Sequence, residues 1–127
     1  MSRDPSKLEV FSEARSPKQV ADELVLEVYR RTRRLPPEER YGLQAQIRRA
    51  AVSVPTNLVE GCARRSTKDY LHFVVLSLGS ASEVRYLLGL AHRLGMLSAD
   101  DHAELVARYG ELIRGLQRLL DALRPEA

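Results

Sequence analysis

The feature that most restricts the fold of this chain is the recurrence of apolar residues at intervals of three and four. The clearest series lies near the C-terminus and is heptad-like: Leu105, Tyr109, Leu112, Leu116, Leu119 and Leu123. Such spacing places side chains on one face of an α-helix, whereas a strand alternates with a period of two. No segment has the strand pattern. The sequence therefore predicts an all-α protein.

Residues typical of helix ends divide this pattern into four helices. Three serines, at positions 16, 66 and 98, precede apolar repeats and are expected to cap helix N-termini. Leu35-Pro36-Pro37 and Gly95 are expected to end the first and third helices. Because the connections are short, neighbouring helices should be antiparallel. The prediction is an up-and-down four-helix bundle over residues 16–127, preceded by a flexible N-terminal arm over residues 1–15.

The second helix is expected to begin between Glu38 and Leu43 and to contain Pro55. Because proline removes a backbone donor and clashes with the preceding turn, we expect a kink there. Asn57 is either a functional polar group or a partner for carbonyls that Pro55 leaves free. The predicted core side of this helix comprises Leu43, Ile47, Ala50, Ala51, Val54, Leu58 and Cys62.

The second and third helices are expected to form a hairpin centred near residue 65. Positions equally distant from the turn then face each other, and most are small: Ala50, Ala51 and Ser53 on one helix, and Gly79, Ser80, Ala81 and Ser82 on the other. Close helix approach would explain Gly79, because glycine otherwise costs about 1 kcal/mol inside a helix. The same register predicts an ion pair between Arg48 and Glu83.

The third helix is apolar over more than one side. Leu71, Val74, Leu78, Ala81 and Leu88 form one stripe, and a second includes Tyr70, Phe73, Val75, Leu76, Val84, Tyr86, Leu87, Leu90 and Ala91. A surface helix should show a single stripe of about 100°. We therefore expect this helix to be buried again against another subunit, which predicts a homo-oligomer.

Length and composition favour one domain in a reducing, cytoplasmic compartment. The chain has 127 residues, of which 44% are hydrophobic, enough for one core. Cys62 is the single cysteine and has no partner for an intramolecular disulfide. No run approaches the roughly 18 uninterrupted apolar residues of a membrane span, so no membrane partner is expected.

Motifs of catalysis and cofactor binding are absent from the sequence. There is no glycine-rich phosphate loop, no G-x-S-x-G and no pair of cysteines for zinc. Asp69-x-x-His72 is half of a carboxylate–histidine metal motif, and the matching pair is missing. Cys62 is expected to be a small core residue, and Glu60 an ordinary partner of Arg64 one turn away. We expect no enzyme activity, no cofactor and no metal.

Basic residues are concentrated although the net charge is only +3. Seven arginines fall between Arg30 and Arg49, and a second group follows the second helix. Arginine suits bidentate contact with phosphate, and an oligomer multiplies such a surface. The candidate residues for binding RNA or DNA are Arg30, Arg31, Arg33, Arg34, Arg49, Arg64, Arg65 and Lys68. The alternative is a structural or protein-interaction scaffold in which these arginines only solvate the surface.

One long segment resembles a known bacterial family. The run from Gln46 to Gly61, QIRRAAVSVPTNLVEG, with Tyr41-Gly42-Leu43 before it and Arg65-Ser66-Thr67-Lys68, Gly79-Ser80 and Glu83 after it, resembles the 23S ribosomal RNA intervening-sequence proteins. The resemblance spans residues 20–97. Val59 and Cys62 depart from the family pattern, as does the lack of a tryptophan in the first helix.

The resemblance implies more than the residues show by themselves. It implies a four-helix bundle that forms a ring-like homopentamer, without enzyme activity. It also implies a relation to the accessory proteins of diversity-generating retroelements, which engage nucleic acid and a reverse transcriptase through a basic pentamer surface.

Overall fold

The computed structural model describes residues 15–124, and these contain four α-helices and no strand. The helices are α1 (Pro17–Thr32), α2 (Leu43–Cys62), α3 (Thr67–Arg93) and α4 (Ala99–Leu123), and a 3₁₀ turn (Pro37–Glu39) precedes α2. The all-α prediction is confirmed for this part of the chain. The predicted N-terminal arm lies outside the described residues except for Arg15.

The three predicted N-caps are all present. The hydroxyls of Ser16, Ser66 and Ser98 each accept a hydrogen bond from the backbone N–H three residues later, at 3.2, 3.1 and 3.1 Å. At the end of α3, Gly95 has a φ of 76°. This left-handed conformation is easy for glycine and lets the next amide, of Met96, reach the carbonyl of Ala91 at 2.9 Å. Local sequence therefore sets most helix ends.

The first helix ends at Thr32, three residues before the Leu35-Pro36-Pro37 segment that was expected to stop it. Its last carbonyls find side-chain donors instead of a further helical turn. The Gln44 side-chain amide donates to the Thr32 carbonyl at 2.8 Å, and the Arg48 guanidinium donates to the Tyr29 carbonyl at 3.0 Å. Side chains of α2 thus satisfy the end of α1.

The four helices surround one hydrophobic core. Its fully buried side chains include Leu24, Ile47, Val74, Leu88 and Leu116. The predicted core side of α2 is correct for six of its seven members, since Leu43, Ile47, Ala50, Ala51, Val54 and Leu58 are all buried. Cys62 is the exception, because it is exposed, so the expectation of a core cysteine was wrong.

The breadth of the apolar surface on α3 has two causes. Part of it is buried, because α3 packs along both α2 and α4. Val84, Leu87 and Ala91, assigned to the second stripe, all lie in the core. Of the remainder, Val75, Leu76 and Tyr86 are exposed, with accessibilities of 51%, 41% and 61%, and Tyr70, Phe73 and Leu90 are partly buried.

By length and composition alone, α3 is long and apolar enough to cross a membrane. An 18-residue window of this helix has a mean hydropathy of 1.3, and 33% of that window is buried. The core helix of a soluble protein passes the same test, so this is weak evidence for a membrane span. The helix carries seven buried residues that face the other helices.

The second helix continues through Pro55 as a single element. Three neighbouring carbonyls accept additional bonds from side chains: Val52 from Thr56, Ser53 from Asn57 and Val54 from Ser77, each at 2.8 Å. The carbonyl that Pro55 leaves without its helical donor is that of Ala51. Asn57 therefore has a structural role, but not with the carbonyl that was expected. The kink remains a prediction.

The contact between α2 and α3, which we call the α2–α3 seam, depends on small and hydroxyl-bearing residues. Ser53 and Ser80 share a hydrogen bond of 2.8 Å, and buried Ser77 donates to the Val54 carbonyl. The close approach occurs at Gly61, where an added Cβ would lie 3.0 Å from the Cβ of Phe73. Small residues meet at Ser53 and Ser80, as predicted, whereas the glycine in close contact is Gly61, which faces Phe73.

Two expectations for this seam were wrong. Gly79 is exposed, and an added Cβ there would meet nothing within 4 Å, so it makes no close helix contact. Glu83 is also exposed and pairs with no cation among residues 15–124. Arg48 instead faces α1: it donates to the Thr32 hydroxyl and to the Tyr29 carbonyl, each at 3.0 Å.

Candidate nucleic-acid interface

Among the residues predicted to bind nucleic acid, Arg31 is the one that is most clearly engaged in contacts inside the protein. Its guanidinium contacts Asp101 at 3.1 Å and Glu104 at 2.6 Å, both on α4, and Glu27 at 3.2 Å on its own helix. Ion pairing with Glu104 raises the pKa of Arg31 above its ordinary value. Three carboxylates surround one half-buried cation, so Arg31 joins α1 to α4 rather than facing solvent.

Two neighbouring arginines are weaker members of the same group. Arg30 pairs with Glu27 at 2.7 Å, and this bond is the main cause of the lowered pKa of that carboxyl. Arg34 lies 3.6 Å from Asp101 and is 79% exposed. Further along, Arg108 of α4 reaches Glu23 of α1 at 3.5 Å. We call the charged contact between α1 and α4, which includes both the Arg31 cluster and the Glu23–Arg108 pair, the α1–α4 seam.

An open cleft of about 400 Å³ lies between the end of α1, the 3₁₀ turn and the first half of α2. We call it the α1–α2 cleft, and its lining residues are Tyr29, Arg33, Leu35, Pro36, Pro37, Arg40, Gln44 and Arg48. The Arg48 guanidinium stacks over the Tyr29 ring at 4.5 Å from its centroid. Three arginines therefore share one concave surface, and no carboxylate of the described residues lines it.

The second basic group surrounds the turn between α2 and α3. We call Arg64, Arg65 and Lys68 the α2–α3 turn patch; all three are exposed. Arg64 pairs with Glu60 at 3.5 Å, as expected from their spacing, and stacks over Phe73 at 4.7 Å. Within the described chain, Arg65 and Lys68 have no ion pair.

The two basic surfaces are far apart on one molecule. Arg48, which lines the α1–α2 cleft, and Cys62, the last residue of α2, are separated by 14 positions of one helix. At about 1.5 Å per residue this is a distance of about 20 Å. The predicted set of eight basic residues therefore does not form one continuous patch on a single subunit. Arg49 is exposed on α2 between the two surfaces.

The histidines form no catalytic or metal arrangement within residues 15–124. No group of three or more His, Cys, Asp or Glu side chains is arranged there to hold a metal ion. His92 and His102 stack with ring centroids 4.6 Å apart, and His92 Nδ1 lies 3.1 Å from the Leu97 carbonyl. Burial lowers the pKa of His102 below its ordinary value of 6.5, and the neighbouring His92 adds to this effect. Asp69 and His72 are both exposed.

A second cleft, of about 660 Å³, lies between the start of α1 and α4. Its lining carries both signs of charge, from Arg15, Glu23, Arg108, Glu111 and Arg118. Glu23 pairs with both Arg15 and Arg108. Because these charges compensate one another, this cleft is a poorer site for an anion than the α1–α2 cleft.

Sequence reasoning missed two features of these surfaces. Arg40 was counted among the clustered arginines but was not proposed as a ligand. It follows the Pro36-Pro37 turn, where a side chain does not belong to the face of a helix. The acidic cluster around Arg31 was also missed. Its signal is the pair Asp101 and Glu104 in the first turns of α4, which a four-helix arrangement places beside the end of α1.

The fold and surfaces define a small four-helix, all-α protein with two separate basic surfaces and no assembled catalytic group among the described residues. A family model described as 23S rRNA-intervening sequence protein matches residues 16–118. The chain belongs to this family, as the run from Gln46 to Gly61 indicated.

A solved structure supports the fold. It is a protein of unknown function from the S23 ribosomal protein family of Bacteroides thetaiotaomicron VPI-5482, with a TM-score of 0.76 at 19% identity. The alignment covers 82% of this chain and 97% of that one. At this identity the likeness shows the fold alone. No curated protein matches the chain.

Proposed function

We propose that this protein is a non-enzymatic, oligomeric module of the cytoplasm that binds RNA or DNA through the α2–α3 turn patch. The observation that carries the proposal is the combination of exposure and missing partners at Arg65 and Lys68. Cations that a fold does not use internally can neutralise phosphates, and the release of counterions then supplies much of the binding free energy. Arg31 is left out, because its charge is compensated by Glu27, Asp101 and Glu104.

The proposal also includes an antiparallel bundle that assembles with copies of itself. Assembly is tested separately from ligand binding. Along α2 and α3, Ser53 pairs with Ser80 and Val54 pairs with Ser77. Partners nearer the turn are therefore fewer residues apart in sequence, which is the pattern of an antiparallel hairpin. Exposed apolar residues on these neighbouring helices, Val52, Val59, Val75 and Leu76, supply a surface for a second copy. By family resemblance the assembly is a homopentamer, and a reverse transcriptase is a further partner.

Oligomerisation is tested by light scattering at micromolar concentration. We expect a mass several times that of the 14.3 kDa monomer, and a pentamer in particular. Substituting Val75 and Leu76 by lysine should reduce the mass to that of the monomer, because two charges would enter an apolar contact. A wild-type mass of one subunit would refute the assembly.

Nucleic-acid binding is tested by titrating a structured RNA at several salt concentrations. The double variant Arg65→Glu, Lys68→Glu should lose at least about tenfold in affinity at low salt, and its salt dependence should be shallower by about two counterions. Arg93→Glu, Arg114→Glu is the matched control, since it changes the charge equally at exposed positions outside the patch. Equal loss in both variants would indicate only a net-charge effect and would contradict the proposed site.

The alternative function is a protein-interaction scaffold. The exposed apolar residues of α2 and α3 favour it, because such surfaces often mark contacts with other proteins. It predicts no RNA binding by the wild-type protein at low salt. A defined protein partner bound through Val75 and Leu76, without nucleic acid, would then replace the leading proposal.

A further inference from the structure

The α1–α2 cleft holds a cationic group whose position is fixed by the fold. Arg48 donates through Nε to the Thr32 hydroxyl and through Nη2 to the Tyr29 carbonyl, and its plane is held against the Tyr29 ring. A guanidinium has five N–H donors, so three remain after these two bonds. Because its orientation is already set, Arg48 would lose little side-chain entropy on binding an anion.

Two further arginines line the cleft and are not compensated by acids. Arg33 is the C-cap of α1, and Arg40 follows the 3₁₀ turn. Both are exposed, and neither has an ion pair or side-chain hydrogen bond within residues 15–124. This separates them from Arg30, Arg31 and Arg34, each of which contacts a carboxylate.

The acidic residues nearest in sequence do not line the cleft. The Glu39 carboxylate accepts a hydrogen bond from the Leu43 amide at 2.9 Å and so caps the start of α2. Glu38 is exposed on the 3₁₀ turn and is not among the lining residues. The free carbonyls at the end of α1 account for Arg48 and Gln44, both of which donate hydrogen bonds to them. Arg33 and Arg40 make no such bond within the described chain.

We propose that the α1–α2 cleft binds a phosphomonoester, held by Arg33, Arg40 and the free donors of Arg48. A terminal phosphate carries a charge of about −1.5 to −2 at pH 7, which matches three clustered guanidinium groups better than the single charge of a phosphodiester. Planar guanidinium groups also donate two parallel hydrogen bonds to phosphate oxygens. The site is independent of the α2–α3 turn patch, since about 20 Å of α2 separates them.

Two sources can present this group: a free phosphate or nucleotide, and the phosphorylated end of a nucleic acid. The experiment is a calorimetric titration at low ionic strength with three probes: inorganic phosphate, a short oligonucleotide with a 5′-phosphate, and the same oligonucleotide with a 5′-hydroxyl. The proteins are the wild type, Arg33→Gln, Arg40→Gln and, as a matched control, Arg93→Gln. Arg33 and Arg40 make no internal bonds in the described chain, so their variants should fold, which thermal melting verifies.

We expect saturable phosphate binding by the wild type and by Arg93→Gln, and a loss of about tenfold or more for each cleft variant, as charge-assisted hydrogen bonds predict. Tighter binding of the 5′-phosphorylated oligonucleotide than of both inorganic phosphate and the 5′-hydroxyl oligonucleotide would identify a nucleic-acid end as the ligand. Equal binding of the two oligonucleotides, with saturable binding of inorganic phosphate, would identify free phosphate.

Absence of saturable phosphate binding, or equal loss in Arg33→Gln, Arg40→Gln and Arg93→Gln, would overturn the proposal. The 5′-hydroxyl oligonucleotide reports on the α2–α3 turn patch alone. This oligonucleotide can fail to bind while the cleft still binds phosphate, and it can bind while the cleft does not. The two proposals are therefore refuted separately.

Discussion

The α2–α3 seam and the α1–α4 seam hold neighbouring helices together by opposite means. The α2–α3 seam has no ion pair among the described residues, and relies on Gly61, on the pair Ser53 and Ser80, and on buried Ser77. The α1–α4 seam relies on Arg31 with Asp101 and Glu104, and on Glu23 with Arg108.

This difference determines which cations remain available to ligands. Close packing of small residues is specific in shape and insensitive to salt, whereas partly exposed ion pairs tolerate small movements and weaken as salt screens them. A basic residue in the α1–α4 seam is already compensated. At the turn between α2 and α3, Arg65 and Lys68 have no ion pair in the described chain. Arg33 and Arg40 of the α1–α2 cleft have none there either.

The largest effect is expected at Gly61, where an added Cβ would press against α3. Gly61→Ala would place a methyl group 3.0 Å from Phe73 Cβ and 3.4 Å from the Tyr70 carbonyl oxygen, so these parts of α3 must shift by a few tenths of an ångström. We expect a loss of about 2 kcal/mol in the free energy of unfolding, measured in urea. Gly79→Ala is the control and should gain about 0.5 to 1 kcal/mol, since its methyl group meets nothing and alanine favours the helix. Equal effects at both glycines would contradict the packing difference.

A smaller, salt-dependent effect is expected at Arg31. Arg31→Met leaves Asp101, which is only 15% exposed, without its closest cation. We expect a loss of about 1 to 2 kcal/mol at low salt, falling as salt rises. Arg85→Met removes an exposed arginine that has no ion pair in the described chain, and should change stability by less than about 0.5 kcal/mol. If the Arg31 loss were independent of salt, the α1–α4 seam would not be electrostatic.

The smallest effect concerns pH and the α3–α4 connection, which combines packing with charge at His92 and His102. Because burial lowers the pKa of His102 in the folded state, the unfolded chain takes up this proton first as the pH falls. The contribution to stability is complete above the ordinary pKa of 6.5 and is lost as the pH falls through the folded pKa. His102→Gln should flatten the stability profile between about pH 7 and 5, whereas exposed His72→Gln should retain the wild-type slope.

Local features of this fold were predictable because short-range chemistry decides them. Ser16, Ser66, Ser98 and Gly95 act within one helical turn, and their neighbours in sequence are enough to identify the helix ends. The core side of α2 also followed from periodicity, apart from Cys62. That residue occupies the last position of α2, where the helix has passed beyond the core.

The partners of individual side chains were less predictable. One expected contact between α2 and α3 is confirmed, since Ser53 does meet Ser80. Position along a helix does not decide which side of it faces the neighbour, however, because each residue turns the helix by about 100°. Gly79 adjoins Ser80 and still points outward, and Glu83 does the same. Arg48 contacts α1 instead, because it bonds a carbonyl at the end of that helix. The sequence pattern does not show that this carbonyl is within reach.

The candidate binding sites were predictable only in composition. A list of arginines does not distinguish Arg31, which three acids surround, from Arg40, which none does. That distinction needs the packing of α4 beside α1, because Asp101 lies 70 residues from Arg31. The separation of the basic residues into two surfaces likewise follows from the length of α2.

The exposed position of Cys62 gives the protein a built-in site for chemical labelling. It is the single cysteine of the chain, and it lies beside the α2–α3 turn patch and far from the α1–α2 cleft. A thiol-reactive fluorophore would therefore attach to the native sequence at one place. Its emission would respond to a ligand at the turn and remain nearly silent to one at the cleft, so occupancy of the two surfaces can be followed separately without introducing a new cysteine.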